Sequence, residues 1–92
     1  MGKREVVWTS KYKKDFKLVA KRGLNTELLL NVVELLATTD QLPENYKDHE
    51  LSGNWKGFRE CHIQPNWLLI YTISEDRLVL TLIRTGTHSD LF

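Results

Sequence analysis

The chain has 92 residues, 41% hydrophobic and 27% charged, which suffices for one small core and excludes a multidomain enzyme. Its single cysteine, Cys61, excludes an internal disulfide framework and every multi-cysteine zinc or iron–sulfur centre. The net charge of +1 hides an imbalance, since residues 1–22 carry a net +6 and residues 23–92 a net −5; the basic segment suits phosphates or an acidic protein, or is simply a solvated helix face.

The β-branched and aromatic run at residues 4–9 predicts a short strand. Ser10 then caps a helix in which Tyr12, Phe16, Val19 and Ala20 form one apolar stripe among lysines, and Gly23 ends it. Asn25 or Thr26 caps a second helix reaching about Ala37, with Leu28, Leu29, Val32, Val33, Leu35 and Leu36 as a broad apolar surface. The two helices pair as a short hairpin. Residues 38–57 lose this periodicity and collect Pro43, Asn45, Ser52, Gly53, Asn54 and Gly57, a long ordered connection that also holds His49.

Three strands follow, at residues 58–64, 67–73 and 77–84. Gln64-Pro65-Asn66-Trp67 reverses the first pair, with Asn suited to a positive φ, and Ser74-Glu75-Asp76 reverses the second. Alternation places Phe58, Glu60 and His62 on one face and Arg59, Cys61 and Ile63 on the other. The last two strands are apolar on both faces, so they form the sheet centre, with the helices on one side. The order β-α-α-β-β-β describes a small α+β domain over residues 1–92 with a twisted antiparallel sheet. No apolar run approaches the roughly 20 residues of a membrane helix, and no signal-peptide core is present, so a soluble cytoplasmic protein without a membrane partner is expected.

The histidines are His49 in the connection, His62 late in a strand and His88 after the last strand. Meander geometry can bring them together, and imidazoles suit proton transfer in both directions near neutrality. Structural or solvent-facing positions also account for them. As zinc ligands they match no compact motif, so no metal is assigned. Arg84-Thr85-Gly86-Thr87-His88 sends an arginine and a histidine off the sheet together, and an arginine fork can grip a phosphate. Trp67 and Phe92 can stack on single-stranded bases or pack in a core, and Lys56, with Lys47, can add phosphate contacts.

Four segments carry a likeness to a known family. Tyr46-Lys47-Asp48-His49, Leu51 to Arg59 (LSGNWKGFR), Cys61 to Tyr71 (CHIQPNWLLIY) and Arg84 to Phe92 (RTGTHSDLF) together resemble the YafQ branch of the RelE/ParE toxin superfamily, in order and over nearly the whole chain. The resemblance implies a RelE-like fold and a toxin of a type II toxin–antitoxin system. It implies a ribosome-dependent mRNA endoribonuclease, held in check by a cognate antitoxin, that uses the RNA 2′-hydroxyl as nucleophile and needs no metal or cofactor. His49 or His62 is then the base, Arg84 the phosphate stabiliser and His88 the acid. Trp67, Phe92, Lys56 and Asn66 take the substrate-binding positions.

Asn66 departs from the family pattern, which has Asp before the Trp. An amide cannot accept the proton or hold an imidazolium electrostatically. A natural variant of altered activity, an inactivating replacement and a turn that favours Asn all remain open. The alternative function is a non-catalytic interaction module, or a gyrase-directed toxin like ParE, on the same scaffold. Three histidines beside Arg84 favour the nuclease, since a gyrase binder needs no acid–base groups.

Overall fold

A computed structural model describes residues 3–92. Strand β1 (Glu5–Trp8) leads directly into helix α1 (Ser10–Lys21). The cap is Thr9, not Ser10. Thr9 is the last extended residue, so its hydroxyl oxygen can accept the Tyr12 N–H at 3.1 Å while the hydroxyl donates to the Leu82 carbonyl at 2.8 Å. Helix α1 buries Tyr12 and Val19, and its lysines are exposed. It stops where Gly23 takes φ 85°, with Leu24 N–H bonded to the Val19 carbonyl, a left-handed closure that favours glycine. Asn25 caps α2 (Thr26–Thr38) through the Glu27 N–H, as one of the two expected caps.

The connection after α2 is ordered, with short 3₁₀ turns at Glu44–Tyr46 and Gly53–Trp55 on either side of a two-residue strand, β2 (His49–Glu50). The antiparallel meander then runs through β3 (Arg59–Gln64), β4 (Trp67–Ile73) and β5 (Val79–Gly86). The strand expected over residues 77–84 begins two residues later. Arg77 has φ 64°, the Asp76 carboxylate accepts the Leu78 N–H, and Ser74 Oγ accepts the Val79 N–H, so these residues form a longer turn. The sheet order is β1-β5-β4-β3-β2, with β1 parallel to β5 and β2 a short edge on β3.

Alternation along the central strands gives the sheet two different faces. Trp67, Leu69 and Tyr71 from β4 join Leu80 and Leu82 from β5 under the helices, against Tyr12, Val19, Leu29, Val32 and Leu36. The opposite face is the smaller apolar cluster of Leu68, Ile70 and Leu91, flanked by Leu51, Trp55, Phe58 and Ile83. Leu91 comes from α3 (His88–Leu91), a short C-terminal helix closed by a reciprocal capping box between Thr87 and Asp90. Thus the second face is covered by the 49–58 segment and the chain end.

Candidate active site

Register aligns the chemically interesting residues across the second face. His49 lies opposite Glu60, Glu60 opposite Ile70 and Ile70 opposite Arg84, while His62 pairs with Leu68 and Leu68 with Gly86. Directly opposed residues share a face. A bulge at Ile83, between the Ile70–Arg84 and Tyr71–Leu82 pairs, sets the register that puts Arg84 in this row. With neighbouring strands about 4.8 Å apart, the row from His49 to Arg84 spans about 14 Å.

At one end His49 and His62 come together, ring centroids 6.4 Å apart, around the carboxylate of Glu60. Glu60 Oε1 lies 3.3 Å from His49 Nε2 and 3.9 Å from His62 Nε2, with the Glu60 side chain only 8% exposed. His49 Nδ1 is 2.7 Å from the Lys47 carbonyl, which makes this nitrogen the donor. The neighbouring Asp48 is held on the other face of the sheet by the Arg59 fork at 3.3 Å and by the Tyr71 hydroxyl at 2.5 Å. Burial first, then the Asp48 carboxylate, push the Tyr71 hydroxyl well above its ordinary range, so it stays protonated and donates. His62 also borders a hollow of about 340 Å³ with Tyr46, Ile63 and Pro65.

At the other end α3 presents His88 and Phe92, with ring centroids 5.0 Å apart; Phe92 meets Trp55 at 5.8 Å, and Trp55 meets Phe58 at 5.7 Å. Phe92 is half exposed. Arg22, the residue after α1, fixes this helix by a forked contact to Asp90 at 2.6 and 3.2 Å. That hydrogen bond, followed by the Thr87 backbone N–H, holds the Asp90 carboxyl far below the usual range. The two histidine groups therefore occupy one side of the sheet, with Leu68 and Ile70 between them.

Four of the expected substrate contacts need correction or refinement. Trp67 is 2% exposed, in the core on the helix side, where its indole N–H donates to Thr85 Oγ1 at 3.0 Å; it cannot stack on a base and instead supports the sheet. Arg84 is not a free fork, because Nε and Nη2 contact Asp15 at 2.6 and 3.2 Å; this hydrogen bonding raises its pKa. Asp15 also accepts the Thr85 N–H, on the stretch of β5 beyond its last β1 partner, Leu82. Lys56 is exposed but lines a separate groove of about 850 Å³ with Lys47, Asp48 and Arg59, in which no histidine takes part. Asn66 is exposed in the β3–β4 turn without a positive φ, the only such non-glycine residues among those described being Lys47 and Arg77, so this turn does not require Asn.

Glu60 and Asp15 are the residues that sequence reasoning missed. Alternation puts Glu60 beside His62, which is the available signal, but its burial depends on tertiary packing. Among the described residues no group of three or more His, Cys, Asp or Glu is arranged to hold a metal ion. No described helix is long and apolar enough to cross a membrane.

Two helices on one face of a five-stranded sheet, and histidines grouped on the other, define a RelE-like α+β toxin fold. A family described as the bacterial toxin of type II toxin–antitoxin system, YafQ, matches residues 4–92. The chain is 42% identical over 93 residues to the mRNA interferase toxin YafQ of Escherichia coli strain K12, covering 100% of this chain and 99% of that protein. The crystal structure of YafQ from E. coli strain BL21(DE3) is similar with a TM-score of 0.90 and 39% identity, over 97% of this chain and 98% of that one. A chain of the E. coli DinJ–YafQ toxin–antitoxin complex gives a TM-score of 0.88 and 41% identity, over 99% of each. The protein belongs to the YafQ family of type II toxins.

Proposed function

We propose that this chain is a ribosome-dependent mRNA endoribonuclease that works in the cytoplasm without a metal and is neutralised by a cognate antitoxin. The observation that carries the reading is the His49–His62 pair, ring centroids 6.4 Å apart around Glu60, on the sheet face that the His88-bearing helix α3 also covers. The E. coli relative named as an mRNA interferase, and the solved complex of a relative with its antitoxin, support the substrate class and the partner.

In the reaction the 2′-oxygen attacks the adjacent phosphorus, the P–O2′ bond forms and the P–O5′ bond breaks. A base at the His49–His62 end takes the 2′ proton, and His88 gives a proton to the departing 5′-oxygen, leaving a cyclic phosphate and a free 5′-hydroxyl. Asp15 takes the Nε–H and one Nη2–H of Arg84, which fixes the guanidinium and leaves its Nη1/Nη2 edge to donate to the phosphate. Phe92 stacks on a base and orients the strand.

Primer extension on message during expression tests this, with His88→Ala and Asn66→Asp alongside. The expected result is codon-associated cleavage, abolished in His88→Ala while the fold persists. If Asn66→Asp cleaves faster, the amide lowers the native rate; equal rates show that this carboxylate is dispensable here. Inhibited gyrase supercoiling with intact message would establish the gyrase-directed reading instead.

A further inference from the structure

Removing a carboxylate from water is costly unless specific partners compensate it. Glu60 is such a group: its side chain is 8% exposed, and its polar partners among the described residues are Nε2 of His49 and Nε2 of His62. Pairing of His49 with Glu60 across β2 and β3 fixes the first contact in the backbone. The Asp48 anchor to Arg59 and Tyr71 holds the adjoining loop in place.

The proton inventory gives this contact a direction. The Lys47 carbonyl only accepts, so His49 Nδ1 carries a hydrogen and the lone pair of the neutral ring sits on Nε2. That lone pair and the carboxylate oxygen, 3.3 Å apart, cannot bond to one another. Once Nε2 gains a proton, the ring is a cation beside the carboxylate and the contact becomes an ion pair. The carboxylate therefore stands where it can pair with the ring once the ring has taken the 2′ proton, the placement a base-catalysed step uses.

We propose that Glu60 is a positioning residue that holds the imidazolium formed on His49 and keeps His62 beside it. This rests on the nuclease reading above and deepens it. The proton leaves O2′ as the P–O2′ bond forms and the P–O5′ bond breaks, and it resides on His49 Nε2.

Glu60→Gln and Glu60→Asp in the full chain test the proposal, with thermal unfolding as the check on folding. Two readouts are taken at one pH: the ¹⁵N resonances of the histidine rings, and the single-turnover cleavage rate at saturating programmed ribosomes. In Glu60→Gln the amide N–H can donate to the Nε2 lone pair, so the His49 Nε2 resonance should move away from the free lone-pair position. The saturating rate should fall by about 10²-fold, with half-saturation unchanged. Glu60→Asp should recover part of both. Unmoved ring nitrogens, an unchanged rate in Glu60→Gln, or equal losses in both variants would overturn the proposal. If the wild-type chain leaves message intact, the nuclease reading fails, whereas the ring nitrogens still report on the Glu60–His49 pair.

Discussion

Trp67 shows how a residue that suits base stacking in the sequence becomes a packing residue in the fold. Its indole N–H is satisfied by Thr85 Oγ1, and that hydroxyl donates onward to the Leu68 carbonyl at 2.8 Å, a closed buried network. Trp67→Phe should cost about 1 kcal/mol through the lost hydrogen bond. Trp67→Ala should cost about 3–5 kcal/mol through the cavity. Urea unfolding measures both, and the cleavage rate of the folded fraction should be unchanged in the Phe variant. Gly86 carries the reverse case, a small residue required by close approach. A Cβ there would lie 3.0 Å from Asp90 Oδ2 and 3.1 Å from Asp90 Cβ, so Gly86→Ala should push the capping carboxylate away. The expected result is about 1–3 kcal/mol lost from overpacking, with reduced cleavage because His88 shares that helix.

Among the elements, those legible in the sequence have strong periodicity or an unmistakable cap. Tyr12, Phe16 and Val19 mark α1, Asn25-Thr26 marks the start of α2 to within a residue, and the apolar runs of β4 and β5 mark the sheet centre. Strand β2 has two residues and exists only through pairing with β3, so no local pattern announces it. The start of β5 is delayed by side-chain bonds of Ser74 and Asp76 to Val79 and Leu78, a local turn that competes with the apolar strand pattern. For the site, residue types identify the histidines, but Asp15 meets Arg84 across 69 positions of sequence, which no spacing argument reaches. Helix α3 is four residues long, and its local signal is the Thr87–Asp90 box. Because the Asp90 pKa is lowered on folding, its contribution to stability is complete above the ordinary carboxylate value of about 4 and lost as pH falls through the folded value. Acidification should therefore release the chain end, seen as altered Trp55 fluorescence as Phe92 leaves it. Asp90→Asn should show the released signal already at neutral pH.

At the scale of the whole molecule, the basic charge is concentrated on α1, the helix whose Asp15 also holds Arg84. Lys11, Lys13, Lys14, Lys17 and Lys21 are exposed, and none is ion-paired among the described residues. Such a row can attract ribosomal RNA phosphates over nanometre distances while contributing nothing to the chemistry. Each lysine that displaces a counterion from a phosphate adds about 0.7–0.9 to the steepness with which log affinity falls against log salt. If Lys13, Lys14, Lys17 and Lys21 all contact phosphate, replacing them with Gln should flatten that slope by about 3 in ribosome-binding measurements. The single-turnover rate at saturating ribosomes should stay the same, because none of these lysines is ion-paired with a candidate site residue among the described residues. An unchanged slope would assign the lysines to solvated surface, and a loss confined to antitoxin affinity would assign them to an acidic protein partner.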